Sequence, residues 1–161
     1  MMTTALPFAF DSRLDLMVER VIDVPPRLVW RAWTEPDQLM PWFCPKPWTV
    51  VRCEIDLRPG GIFATTMCSP DGEEYPNVGC ILEVVPERRL VTTDTMLPDF
   101  RPSENPFLTS IVMIDPHGAG THYRWIARHK DEAGRQKHEE MGFTVGWNTA
   151  LDQLIAHTAT M

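Results

Sequence analysis

The chain has 161 residues, 43% of them hydrophobic and 23% charged, which is the size and make-up of one globular domain with a sizeable core. Its 22 acidic and 15 basic side chains give a formal charge of -7, and no basic run or stripe offsets this, which argues against a nucleic-acid or anionic-membrane partner. No apolar stretch approaches a membrane span, and Met1 to Arg13 lacks the basic-then-apolar pattern of a signal peptide, so a cytoplasmic location is expected.

Residues 14–24 carry Leu14, Leu16, Val18 and Arg20 on one parity and read as a first strand. Pro25-Pro26 stops it, and Pro26 suits the first turn of a short helix through Leu28-Val29-Trp30-Arg31-Ala32-Trp33. A second helical turn spans Asp37 to Met40. Prolines 41, 45 and 47 then punctuate an aromatic segment of Trp42, Phe43 and Trp48, which either rims a cavity mouth or anchors the short helices to a sheet. Six strand-like runs follow at 49–57, 62–68, 77–85, 89–97, 107–115 and 121–129. The turns between them include Arg58-Pro59-Gly60-Gly61 and Ser69-Pro70-Asp71-Gly72. A proline-rich loop from Pro98 to Pro106 separates two of the runs. Short strands joined by such turns imply an antiparallel meander rather than parallel crossovers.

From Asp131 to Thr158 there is no proline, and Met141, Val145, Trp147, Leu151 and Leu154 recur at helical spacing. One long amphipathic helix is expected. Gly142 and Gly146 lie inside it, each costing roughly 1 kcal/mol relative to alanine, which suggests a close approach there by another element or by a ligand. The order is α+β: strand, two short helices, meander, long helix. It forms one domain over residues 14–161 behind an N-terminal extension, 1–13. Only the last helix is long enough to cover the buried face of a curved sheet.

Cys44, Cys53, Cys68 and Cys80 include no C-x-x-C pair and have no histidine at zinc-ligand spacing. They read as small buried hydrophobes, with Cys44 in the aromatic loop the one whose exposure matters. No cofactor or metal is implied. Glycine-rich phosphate loops, nucleophile elbows and paired-histidine zinc motifs are missing.

Several stretches together resemble the activator-of-heat-shock-protein-90-ATPase homology (AHSA-type) family. These are Val24-Pro25, Val29-Trp30-Arg31-Ala32-Trp33-Thr34-Glu35-Pro36, Trp42-Phe43-Cys44-Pro45, Asp56 through Phe63, Gly79 through Leu90, Gly120-Thr121 and Gly146-Trp147. The family lies within the broad group that holds START lipid-transfer domains, birch-pollen-type allergens and polyketide cyclases. His138-Glu139-Glu140-Met141-Gly142-Phe143 resembles a bacterial subgroup described as polyketide-cyclase-like. The resemblance covers nearly the whole chain. It implies a helix-grip fold, with about seven antiparallel strands and two short helices closed over by the C-terminal helix around a cavity. It implies no reaction.

Guided by the family positions of Phe63 and Gly79, the expected ligand-lining residues are Trp48, Phe63, Thr65, Met67, Ile81, Thr93, Thr95, Tyr123 and Trp125, faced by Met141 and Val145 from the helix. Val91 shares their parity. Such a lining is apolar with a few hydroxyls, as in many small-molecule pockets; the same residues would also fill a closed core. His117 and His157 read as solvated, and His129 and His138 as surface groups flanking the start of the long helix. Glu83 shares the expected inner parity. Three functions follow from different classes. The first is a binding module for a small hydrophobic or aromatic molecule. The second is a cyclase- or hydrolase-like enzyme using Tyr75, Tyr123, Glu83 or His138. The third is a chaperone ATPase cofactor acting through its surface. An uncovered edge strand would allow a homodimer.

Overall fold

A computed structural model describes residues 3–161; Met1 and Met2 of the expected extension lie outside the described residues. Strand β1 (Asp15–Ile22) ends before Pro25-Pro26, and α1 (Pro26–Thr34) starts with proline at its first turn, where the missing N–H costs nothing. The turn α2 (Pro36–Leu39) follows. The meander runs β2 (Thr49–Ile55), β3 (Ile62–Cys68), β4 (Glu74–Val85) and β5 (Arg89–Thr93). After a two-stranded flap, β6 (Met96–Leu97) with β7 (Arg101–Pro102), it resumes with β8 (Thr109–His117) and β9 (Gly120–Arg128). The flap's first strand is the end of the 89–97 run expected to be one strand, and its second lies inside the proline-rich segment expected to be loop. The seven main strands form one antiparallel sheet in the order β1-β9-β8-β5-β4-β3-β2. This is the α+β helix-grip arrangement.

The expected single C-terminal helix is two. Helix α3 (Glu132–Glu140) is capped by Asp131, whose carboxylate accepts a 2.8 Å hydrogen bond from the Gly134 N–H. It stops at Gly142, whose φ of +91° is left-handed and which starts α4 (Phe143–Thr158). The Gly142 N–H donates back to the Glu139 carbonyl at 2.9 Å. This is the glycine stop of a helix C-terminus. No other protein element packs tightly on either glycine: a Cβ on Gly142 would meet nothing within 4 Å, and one on Gly146 only the Pro45 Cγ at 3.8 Å. Among the described residues no helix is long and apolar enough to cross a membrane.

The main core lies between the inner face of the sheet and the helices. Leu16, Val18, Val112, Tyr123 and Trp125 from the strands meet Val29, Trp33, Leu39, Leu151 and Leu154. Trp42 is fully buried, and its Nε1–H donates to the Ala32 carbonyl at 3.1 Å, so of the two roles open to it this residue anchors the short helices. The outer face is also partly covered. Leu6 and Phe8 of the N-terminal segment pack with Met17 and Val91 on Ile111, Met113 and Ile126. Beside this second cluster Arg124, a charged residue in a strand, forms a buried pair with Asp115 at 2.7 Å and donates to the Thr4 carbonyl at 2.6 Å. Asp115→Ala would leave a guanidinium buried with only a carbonyl partner. A stability loss of about 3–5 kcal/mol is expected, read as a lower urea midpoint, and most of it is regained in the double variant Asp115→Leu/Arg124→Met.

Candidate functional site

The inner face of the sheet does not pack fully against α4. A half-open recess of about 640 Å³ lies between them. Phe63, Thr65 and Met67 of β3, Asn77 and Gly79 of β4, and Trp125 of β9 form its floor; His138, Met141, Phe143, Gly146 and Trp147 form its roof. Trp33, Phe43 and the Cys44–Lys46 loop close one side, and Asp94, Phe107 and Leu108 another. Gly146 lacks the side chain that would occupy this space. Gly79 is required for a different reason: a Cβ there would lie 2.8 Å from the Thr93 carbonyl.

Aromatic rings make most of the wall. Trp147 stacks on Trp125 at 4.5 Å between centroids and 20° between planes, and lies 6.2 Å from the nearly parallel ring of Trp33. Phe43 meets Trp33 and Trp147 edge-on, at 5.7 and 5.3 Å, the offset and T-shaped geometries that aromatic quadrupoles favour. Trp48 borders the recess beside Tyr75, 5.5 Å away. Of the aromatic-loop residues, then, Trp48 and Phe43 reach the recess and Trp42 does not.

Of the expected lining residues, Trp48, Phe63, Thr65, Met67, Thr93, Trp125 and Met141 border the recess; four do not. Ile81 and Tyr123 are packed in the closed core, and the Tyr123 hydroxyl accepts from Trp33 Nε1–H at 3.2 Å. Burial pushes this phenol well above its ordinary range. Val145 is 77% exposed and turns outward from α4. Thr95 is drawn into a hydroxyl cluster: Thr93 Oγ1 lies 2.8 Å from Thr95 Oγ1 and 3.0 Å from Thr109 Oγ1.

The parity error on β5 has a local cause. The register of β4 on β5 shifts between Ile81 and Glu83, a bulge that reverses the alternation beyond it. Leu90 therefore enters the main core, Thr92 borders the recess, and Val91 packs on the outer cluster. Glu83, paired across β4–β5 with Val91, leaves the inner face and is held by Arg89. Tyr75 is exposed, its hydroxyl donating to Glu73 at 2.6 Å. Of the four suspected catalytic groups, only His138 borders the recess.

Neither His129 nor His138 is a surface group; both are buried. His129 Nε2 lies 2.9 Å from His138 Nδ1, and His129 Nδ1 lies 2.8 Å from the Leu14 carbonyl. No third histidine, cysteine or acid joins them in a metal-ligand cluster among the described residues. Sequence spacing did not reveal the pair because β9 and α3 bring it together through the tight turn at Lys130-Asp131. Asp94 holds the nearby loop: its Oδ1 accepts from the Phe107 and Leu108 N–H groups at 2.8 and 2.9 Å.

Burial, with His129 adding to it, lowers the His138 pKa from 6.5 to about 4. As pH falls from 6.5 toward 4, the unfolded chain takes up this proton before the folded one, so folded stability falls across that window. His138→Gln should flatten that part of the curve, measured as urea midpoints between pH 6.5 and 4.5. Burial also pushes the Cys44 and Cys53 thiols up to about 11, leaving roughly one part in a thousand as thiolate at pH 8. Iodoacetamide at that pH should alkylate neither residue in the native protein and both in urea, by peptide mass spectrometry.

A family model described as "Activator of Hsp90 ATPase homolog 1-like protein" matches residues 23–159. The chain belongs to this family. The fold is shared with solved structures. A protein from Nitrosomonas europaea is 44% identical with a TM-score of 0.91, over 94% of this chain and 97% of that one. A protein from Mycobacterium smegmatis is 26% identical with a TM-score of 0.75, over 89% and 90%. An AHSA1-like protein from Aeromonas hydrophila, 20% identical with a TM-score of 0.67 over 91% and 93%, has the same fold. No curated protein matches.

Proposed function

We propose that this family member is a cytoplasmic binding module that takes up a small, flat, largely apolar molecule in the recess between α4 and the sheet. The observation that carries this reading is the aromatic wall beside open space: Trp125, Trp147 and Phe43 border a volume of about 640 Å³. An aromatic ligand there would replace water against apolar surface and gain stacking contacts. Met67 on the floor and Met141 at the rim, which is 67% exposed, add side chains that adapt to irregular ligand shapes. Binding is favoured over turnover because three of the four suspected catalytic groups lie away from the recess, and Asp94 spends one carboxylate oxygen on the 107–108 backbone.

The test fills the space. Gly146→Leu would set a branched side chain into the recess, and the change from glycine favours the helix. Native mass spectrometry of the wild type should reveal a co-purified small molecule, or calorimetry a micromolar-range affinity for 2-methoxynaphthalene. Gly146→Leu should keep its fold by circular dichroism and lose at least tenfold in that affinity. Equal affinity in the two proteins would place the ligand elsewhere and end the proposal.

A further inference from the structure

A buried hydrogen-bond chain ends at the recess. The Leu14 carbonyl accepts twice, from the His129 backbone N–H at 3.1 Å and from His129 Nδ1 at 2.8 Å. A carbonyl oxygen has no hydrogen to give, so His129 Nδ1 carries one. With the ring neutral, His129 Nε2 is then bare. It lies 2.9 Å from His138 Nδ1. Two bare nitrogens do not bond, so His138 Nδ1 supplies the hydrogen. The tautomer assigned by this network leaves His138 Nε2 as an open acceptor.

Nothing among the described residues donates to that nitrogen, and His138 borders the recess. The rings packed around it, Phe107 and Phe143, each have centroids 4.9 Å from the imidazole and carry no donor. The charged groups that border the same recess are Lys46 and Asp94. The lowered pKa of His138, about 4, keeps the imidazole neutral at pH 7.

Resting on the recess as a ligand site, we propose that His138 Nε2 is its hydrogen-bond acceptor, so that the site selects flat aromatic molecules bearing an O–H or N–H donor, such as phenols and enols, over their O-alkylated counterparts. The Leu14–His129 chain is the positioning element. It holds the ring's orientation and its tautomer, as second partners do for imidazoles elsewhere. A ligand without a donor would leave Nε2 desolvated and unpaired, which costs affinity.

The experiment compares 2-naphthol with 2-methoxynaphthalene by calorimetry at pH 7. The wild type should favour the naphthol by about tenfold. In His138→Phe, which removes the acceptor, the ratio should fall to about one. In His138→Gln, whose amide carbonyl still accepts, part of the preference should survive. Binding of both probes with a wild-type ratio near one, or a ratio unchanged in His138→Phe, overturns this inference and leaves the recess reading intact. Binding of neither overturns both. A second measurement does not depend on any variant folding: long-range proton–nitrogen correlation should find His138 in the Nδ1–H form, and a His138 Nε2–H form would overturn the assignment.

Discussion

Trp147 is the wedge on which the rest of the arrangement depends. Its ring lies against Trp125 of the sheet on one side and parallel to Trp33 of α1 on the other. One indole thus ties together three elements that are far apart in the chain. Indoles are broad and rigid, so the contact also sets how near α4 comes to the sheet. Next to Trp147, toward the N-terminus of α4, Gly146 adds no side chain to the roof. The helix is held off by the wedge and has nothing at Gly146 to fill the gap, and an open volume is the geometric consequence.

Irregularities in otherwise regular elements decide what faces that volume. The bulge between Ile81 and Glu83 returns Leu90 to the core and sends Glu83 outward to Arg89. Gly79 lets the Thr93 carbonyl come near without a Cβ in its way. Gly142 ends α3 in a left-handed turn, so that α3 carries His138 to the end of the recess as a segment separate from α4. Each is a departure of one residue, and each changes which chemistry meets the recess.

The opposite face of the sheet is restrained as well. Residues of the N-terminal segment cover the Ile111–Met113–Ile126 cluster, Arg128 lies 3.8 Å over the Phe8 ring, and Arg124 joins Asp115 to the Thr4 carbonyl. A sheet restrained on both faces suits a site whose floor is side chains on strands.

Most element types, their order and the antiparallel connectivity were legible along the chain, because turn chemistry, proline position and apolar periodicity are local properties; the split of the last helix at Gly142 was not. Residues 62–68 became a strand over the same span, Pro26 began a helix, and the family was legible from the order of its short motifs. Alternation placed Phe63, Thr65 and Met67 beside the recess because β3 runs without a bulge. It failed on Thr95, and for Ile81 and Tyr123 it gave the correct face but not the closed core. These, and the pairing of His129 with His138, depend on how the folded elements meet. A bulge is a property of two strands in register, a void depends on how far a helix stands from a sheet, and a buried hydrogen bond needs both partners folded around it. None of these is encoded in the spacing of residues along one strand or one helix.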